Sequence, residues 1–345
     1  MSAPALPQRR THRGWVAGAV LAGALALGLV VGPADLPPGP VLLAVLSHLP
    51  LVPIHSRLSS TDQAIVWQLR MPRVVLGGLV GWLLAMSGAA YQGAFQNPLA
   101  DPYLLGTAAG AGLGATLIIE YGPGQVSWFV NPLPLAAFAG GALAVFIAYG
   151  LGVATQRRRE AGTVVLAGVA VTFFFTAVQT YFQQRNAQDL RAVYGWILGS
   201  LTSADWHDVI LLLPYATVST VLLLVRRRDL DVLSVGDAEA ANLGLDVSRS
   251  RLLIVVGATL ATASAVAFSG LIGFVGLIVP HCVRLLTRGS YRTIVPLSML
   301  GGAAFLVLAD VLARTITAPA ELPIGVVTAF FGAPFFLLVL RRGLR

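Results

Sequence analysis

QNPLADPYLLG, Gln96 to Gly106, lies between two of the most apolar runs in the chain, VVLGGLVGWLLAMSGAAY (Val74–Tyr91) and LLGTAAGAGLGATLIIEY (Leu104–Tyr121). Its amides, acid and two prolines need a physical reason. Asn97-Pro98 and Asp101-Pro102 each place a residue before proline, where helical backbone is disfavoured. Asn and Asp side chains also bond their own backbone in turns. The stretch therefore reads as a stop for one helix and a start for the next, leaving little backbone unsatisfied at a lipid boundary. Asn97, Pro98, Asp101, Pro102 and Gly106 form this structural motif. After it, Gly106, Gly110 and Gly114 recur every fourth residue, a face that lets another helix approach closely.

The rest of the 345 residues follows the same pattern. Hydrophobic residues make up 56% and charged residues 11%, with mean hydropathy +0.79. A soluble domain holds about 25% charged residues. Repeated apolar runs of this length read as membrane spans. All 23 basic residues are arginine. Without lysine the chain can form neither a Walker A phosphate loop nor a Schiff base. The single cysteine, Cys282, excludes an internal disulfide and a CxxC site. The net charge of +8 could suggest nucleic acid, but the arginines flank the apolar runs instead of forming a stripe.

The sequence thus predicts an all-α polytopic membrane protein, a single transmembrane domain with about ten spans. The segments are Gly14–Val31, Val74–Tyr91, Leu104–Tyr121, Leu133–Ala154, Thr163–Phe182, Val209–Val225, Leu252–Phe268, Leu271–Leu286, Ile294–Leu312 and Ile324–Leu340. With the N-terminus inside, seventeen arginines fall on inner segments. Six fall outside: Arg57, Arg70, Arg73, Arg185, Arg191 and Arg314. That bias orients the chain with both termini cytoplasmic. The first segment, preceded by QRRTHR, also has the form of a cleaved leader, although VVGPADLPPGP offers no clear cleavage site.

Three long strings are more specific. RMPRVVLGGLVGWLLAMSGAAYQGAFQNPLADPYLLGTAAGAGLG, GLIGFVGLIVPHCVRLL and ELPIGVVTAFFGAPFF resemble the FecCD/BtuC family of ABC importer permeases. The likeness runs from about Arg70 to the C-terminus. It implies a ten-helix subunit in the cytoplasmic membrane of a bacterium, pairing with a second copy of itself. Two cytosolic ABC ATPases and an extracytoplasmic substrate-binding protein would complete the assembly. The cargo would be a bulky metal chelate: ferric siderophore, haem or cobalamin. The chain itself would bind no cofactor and perform no hydrolysis; ATP and Mg would belong to the partner ATPase.

Site expectations combine residue chemistry with this resemblance. In RRRDLDVLSVGDAEAANLGLDVSRSR (226–251), Ser234 can cap a helix with Asp237 third after it, and Gly244 can end it. The resemblance makes Ser234, Asp237, Glu239, Asn242, Leu243 and Gly244 an ATPase-coupling helix; an ordinary capped loop helix is the plainer reading. Arg70, Arg73 and Arg314 run against the positive-inside trend. The resemblance makes them docking residues for acidic groups of the binding protein, while anchoring at the interface and an i,i+4 pair of Arg314 with Asp310 also account for them. Thr172, Thr176, Gln179 and Thr180 share one helical face. They read as pathway-lining by resemblance, or as interhelical hydrogen bonds. Tyr194, Trp196 and Trp206 suit an interfacial belt. By resemblance, Gly195 and Gly199 suggest a short bent helix acting as an outer gate.

His281 in VPHCVR lacks neighbours at metal-ligand spacing, which favours a structural or gating role and no metal. An ion-coupled secondary transporter is the alternative function; it would need ionisable residues at mid-span, whereas Glu120, Asp310 and Glu321 lie near span ends. A membrane enzyme would need an HExxH or GxSxG constellation, and none occurs.

Overall fold

The computed structural model describes residues 8–47, 58–123, 131–154, 161–186, 188–287 and 289–343. Among these residues all regular structure is helical. In chain order the helices are α1 (Gln8–Val30), α2 (Pro38–Leu46), α3 (Ser60–Ala64), α4 (Met71–Ala94), α5 (Thr107–Tyr121), α6 (Pro132–Ala154) and α7 (Ala161–Arg185). They continue with α8 (Leu190–Ile197), α9 (Trp206–Leu233), α10 (Asp237–Asn242), α11 (Val247–Ser269), α12 (Val275–Thr287), α13 (Tyr291–Thr315) and α14 (Ile324–Gly343). The ten segments read from hydropathy overlie α1, α4, α5, α6, α7, α9 and α11–α14. Among the described residues seven helical stretches are long and apolar enough to cross a bilayer, counting α3 through α4 as one; α12 and α14 are shorter apolar helices.

A π-helical run, Ile65–Arg70, joins α3 to α4. The Met71 N–H bonds the Val66 carbonyl five residues back, just before Pro72, which has no N–H to give. Helical structure thus begins at Ser60, well before Val74, where the span was expected to open.

Burial separates a central layer from a peripheral one. The apolar windows of α4, α11 and α13 are 83%, 72% and 67% buried, whereas α1 is 17% and α7 and α9 are 28%. Small residues make the centre dense. A Cβ on Gly81 would strike the Gly302 carbonyl, and one on Gly302 the Gly81 carbonyl, so α4 and α13 touch backbone to backbone. Gly88 meets Gly276 of α12 in the same way. The glycine face of α5 packs as its spacing suggested, Gly110 on Gly140 and Gly114 on Ala136 of α6.

The stretch Gln96–Gly106 is a turn at its start and more than a turn at its end. Leu99 N–H bonds Asn97 Oδ1 at 2.9 Å, and Tyr103 N–H bonds Asp101 Oδ1 at 2.8 Å, the two side-chain turns anticipated. Yet Pro102 lies against Gly276, and Gly106 faces Thr172 near the middle of α7. Residues 102–106 run unwound between helices, and α5 starts only at Thr107. Gly106 leads into α5 with φ +85°, a conformation glycine adopts without strain.

A second unwound segment faces the first. α11 ends at Ser269 and α12 begins only at Val275, so the span expected from Leu271 is not helical in its first four residues. Tyr103 joins the two unwound segments: its hydroxyl donates to the Ile272 carbonyl at 3.0 Å and accepts from the Ile272 N–H at 3.1 Å. Non-helical backbone among spans is tolerated where protein encloses it and satisfies its polar groups.

Candidate functional site

The loop side of α9 and α11 carries a short projecting helix. α9 continues past its apolar run through RRRDLDVL, because Arg226 and Asp229 pair at 3.1 Å and Leu230 and Leu233 are buried. The expected loop thus shortens to residues 234–246, and the expected N-cap moves. Ser234 is the C-cap of α9, and its hydroxyl donates to the Asp231 carbonyl at 2.6 Å. Gly236, at φ +112°, opens α10, and Gly244, at φ +86°, follows its end.

Asp237 fixes α10 to the body. Its carboxylate accepts from Arg251 Nη1 and Nη2 at 3.0 and 2.6 Å, and from Gln96 Nε2 at 2.9 Å. Arg251 Nε also donates to the Ala94 carbonyl at 2.9 Å, and Gln96 Nε2 to the Leu233 carbonyl at 2.9 Å. One network therefore clamps α10 to the ends of α4, α9 and α11. Nothing in the sequence marks Gln96 or Arg251 for this role. The bidentate fit of guanidinium to carboxylate makes the clamp directional. Glu239, Asn242, Leu243 and Gly244 face outward, and Val235 and Leu243 expose 56% and 71% of their surface.

At the opposite end the three arginines turn inward, Arg70 and Arg314 buried and Arg73 half-buried. Arg70 is buried and donates to the carbonyls of Leu29, Val30 and Ala34. These are carbonyls at and just past the end of α1, and a guanidinium satisfies them. Arg314 is 2% exposed, donates to the Gly28 carbonyl at 2.5 Å and lies 3.6 Å from Asp310, the same-helix pair weighed as the plainer reading. Arg73 grips two carboxylates. Its Nε and Nη2 bond Asp310 at 2.8–3.1 Å, and its Nη1 and Nη2 bond Glu321 at 2.9 Å. Burial pushes the Glu321 carboxyl up, but the hydrogen bonds and charge of Arg73 outweigh it and hold the group below the ordinary glutamate range.

Glu321 also accepts from the Thr202 hydroxyl at 2.9 Å, which carries the network toward α8. The end of α8 is fixed on two further sides. Ile324 and Gly325 N–H bond the carbonyls of Gly199 and Leu198 at 3.2 and 3.1 Å, and Ser200 N–H bonds the Ser269 carbonyl at 2.9 Å. Gly199, at φ +75°, terminates α8 instead of bending it, and Gly195 lies within the helix. Trp206 Nε1 donates to the Trp67 carbonyl at 2.8 Å.

The polar face of α7 divides. Gln179 is buried and donates to Thr116 of α5 at 3.1 Å, an interhelical bond. Thr172 is half-buried and donates to its own helix at Gly168. Thr176 and Thr180 are exposed beside Phe173, Phe174 and Tyr181, all more than half exposed. His281 meets Phe335 edge-on, ring centroids 5.9 Å apart. Among the described residues, Asp205, His207 and Asp208 bring ligand atoms within 4.8 Å of one another, a grouping not anticipated. Asp205 already caps α9, accepting from the Asp208 N–H at 2.8 Å.

The architecture is thus a multi-pass helical bundle with a clamped helix projecting from one end. The FecCD transport family matches residues 20–342, and the chain belongs to that family. The cobalamin import permease BtuC of Halobacterium salinarum is 43% identical over 290 residues, 84% of this chain and 76% of that protein. The ferric dicitrate permease FecD of Escherichia coli is 38% identical over 310 residues, 87% of this chain and 94% of that protein. A solved inward-facing ABC transporter of metal-chelate type superposes with a TM-score of 0.81 at 27% identity, covering 95% of this chain and 98% of that one.

Proposed function

We propose that this chain is the membrane subunit of an ATP-driven, binding-protein-dependent importer of a bulky metal chelate, working as a homodimer in the cytoplasmic membrane. Supporting the reading most directly is α10, a short helix clamped through Asp237 to three long helices while its outer side exposes apolar Leu243 and Val235. A lever needs both properties: a surface for a motor to grip and a stiff connection to what it moves. The motor would be a cytosolic ATPase that supplies the phosphate loop this chain lacks and uses ATP and Mg. Cobalamin, ferric dicitrate and hydroxamate are named for relatives and share one chemistry, a large coordinated metal complex.

On this reading the two copies rock against each other and open a pathway lined by Thr176 and Thr180 to alternate sides. An acidic group of the binding protein reaches Arg73 by displacing Glu321, the more exposed of its two carboxylates. Arg70 and Arg314 position the surface around it. The test is the complex reconstituted in vesicles with its ATPase and binding protein. Loaded binding protein should stimulate hydrolysis, and Leu243→Asp should lower transport at least tenfold while the permease keeps its thermal stability. Unchanged transport in Leu243→Asp would remove α10 as the lever.

A further inference from the structure

Between α6 and α11 an apolar groove of about 420 Å³ opens to the side of the bundle. Phe138, Ala142 and Phe146 form one wall, and Leu252, Val256 and Ala263 the other. Phe146 is 77% exposed, so the groove is a surface feature and not part of the core. Its length from Phe138 to Gly150 is about 18 Å at helical rise. One leaflet of hydrocarbon is about 15 Å deep. The groove therefore has the reach of a single acyl chain.

Its end near Gly150 and Leu252 has a charge. Arg249 precedes Leu252, Val256 and Ala263 by three, seven and fourteen residues, which puts it on the groove face of α11. It is exposed and among the described residues makes no ion pair; Asp246 beside it accepts the Arg249 backbone N–H at 3.0 Å as the helix cap. We propose that the α6–α11 groove binds one acyl chain of an anionic phospholipid whose headgroup is held by Arg249. Resting on the cytoplasmic placement of α10, the proposal assigns this lipid to the inner leaflet, where anionic headgroups attract basic residues. Such a lipid would wedge α11, the helix that also carries Arg251 and its hold on α10.

The test is native mass spectrometry of the full chain with equimolar phosphatidylglycerol and phosphatidylcholine of identical chains. Wild-type protein should retain the glycerol lipid in preference. Arg249→Gln should reduce that preference roughly fivefold, the equivalent of one interfacial charge. Gly150→Leu should lower retention of both lipids; a Cβ there meets nothing within 4 Å, so the added side chain narrows that end of the groove without disturbing the fold. An unchanged lipid ratio in Arg249→Gln, or full retention in Gly150→Leu, would overturn the site. So would disulfide cross-linking of two copies through Gly150→Cys in a Cys282→Ser background, which would make the groove an interface between copies. Because the readout needs neither nucleotide nor cargo, it stands or falls separately from the importer reading.

Discussion

Arg73 joins α4, α13 and the loop before α14 through one guanidinium. Asp310 and Glu321 differ in exposure, 4% against 24% for their side chains, so they contribute differently. Asp310 is the buried counter-charge, and removing Arg73 would leave it facing only Arg314. Glu321 is the solvent-side clasp, and its depressed proton affinity gives it a pH signature. A carboxyl held lower in the folded state stabilises it fully above the ordinary glutamate value of about 4.3. That contribution disappears as pH falls through the lower, folded value. Thermal unfolding in detergent should show wild type losing stability on acidification below about pH 4.3. Glu321→Gln should start lower and lose less over the same interval. Parallel curves would mean that Glu321 makes no net contribution through its charge. The sequence flagged these arginines through their expected side of the membrane and paired Arg314 with Asp310 on one helix face, but nothing in it revealed the partners of Arg73, which lie 237 and 248 residues away.

Individual helices were legible to the extent that hydropathy controls them. Long apolar runs have one stable form in lipid, so α6, α7, α11 and α13 follow the sequence within a few residues. Their ends were less legible. Ser234 has good capping chemistry, yet α9 runs up to it because Leu230 and Leu233 find buried contacts beyond the apolar run. The unwound segments at 102–106 and 270–274 are composed of residues a span tolerates; the bonds from Tyr103 to Ile272 hold them in place, and hydropathy does not register them. Glycine spacing was readable, and its energetic sign depends on the face. Gly302→Ala forces a methyl group into the Gly81 carbonyl and should cost about 1–3 kcal/mol, the range for overpacking. Gly23→Ala on α1 meets nothing within 4 Å and should be neutral or slightly stabilising. Melting temperatures of the two variants in one detergent would check this; equal losses would remove backbone contact as the reason α4 and α13 pack.

For the whole molecule, the central physical question is what covers the outward side of α7. Phe173 and Phe174 expose 73% and 66% of their surface, and Thr176 and Thr180 lie open beside them. Lipid satisfies phenylalanine but gives a hydroxyl no external partner; Thr180 turns its own back to the Thr176 carbonyl at 2.8 Å. An interface that holds both apolar contact and a wet path would use both residue types. Cysteine placed at position 176 or 180, in a Cys282→Ser background, should react with a charged maleimide in the assembled transporter. The rate should change several-fold when ATP is trapped on the ATPase, because on the proposed mechanism two copies rock and open or close that path. Cysteine at Val218, exposed on α9, should resist the same reagent in both states, as a lipid-facing position does. Equal resistance at positions 176, 180 and 218 would put the α7 face in lipid and require the cargo to cross elsewhere.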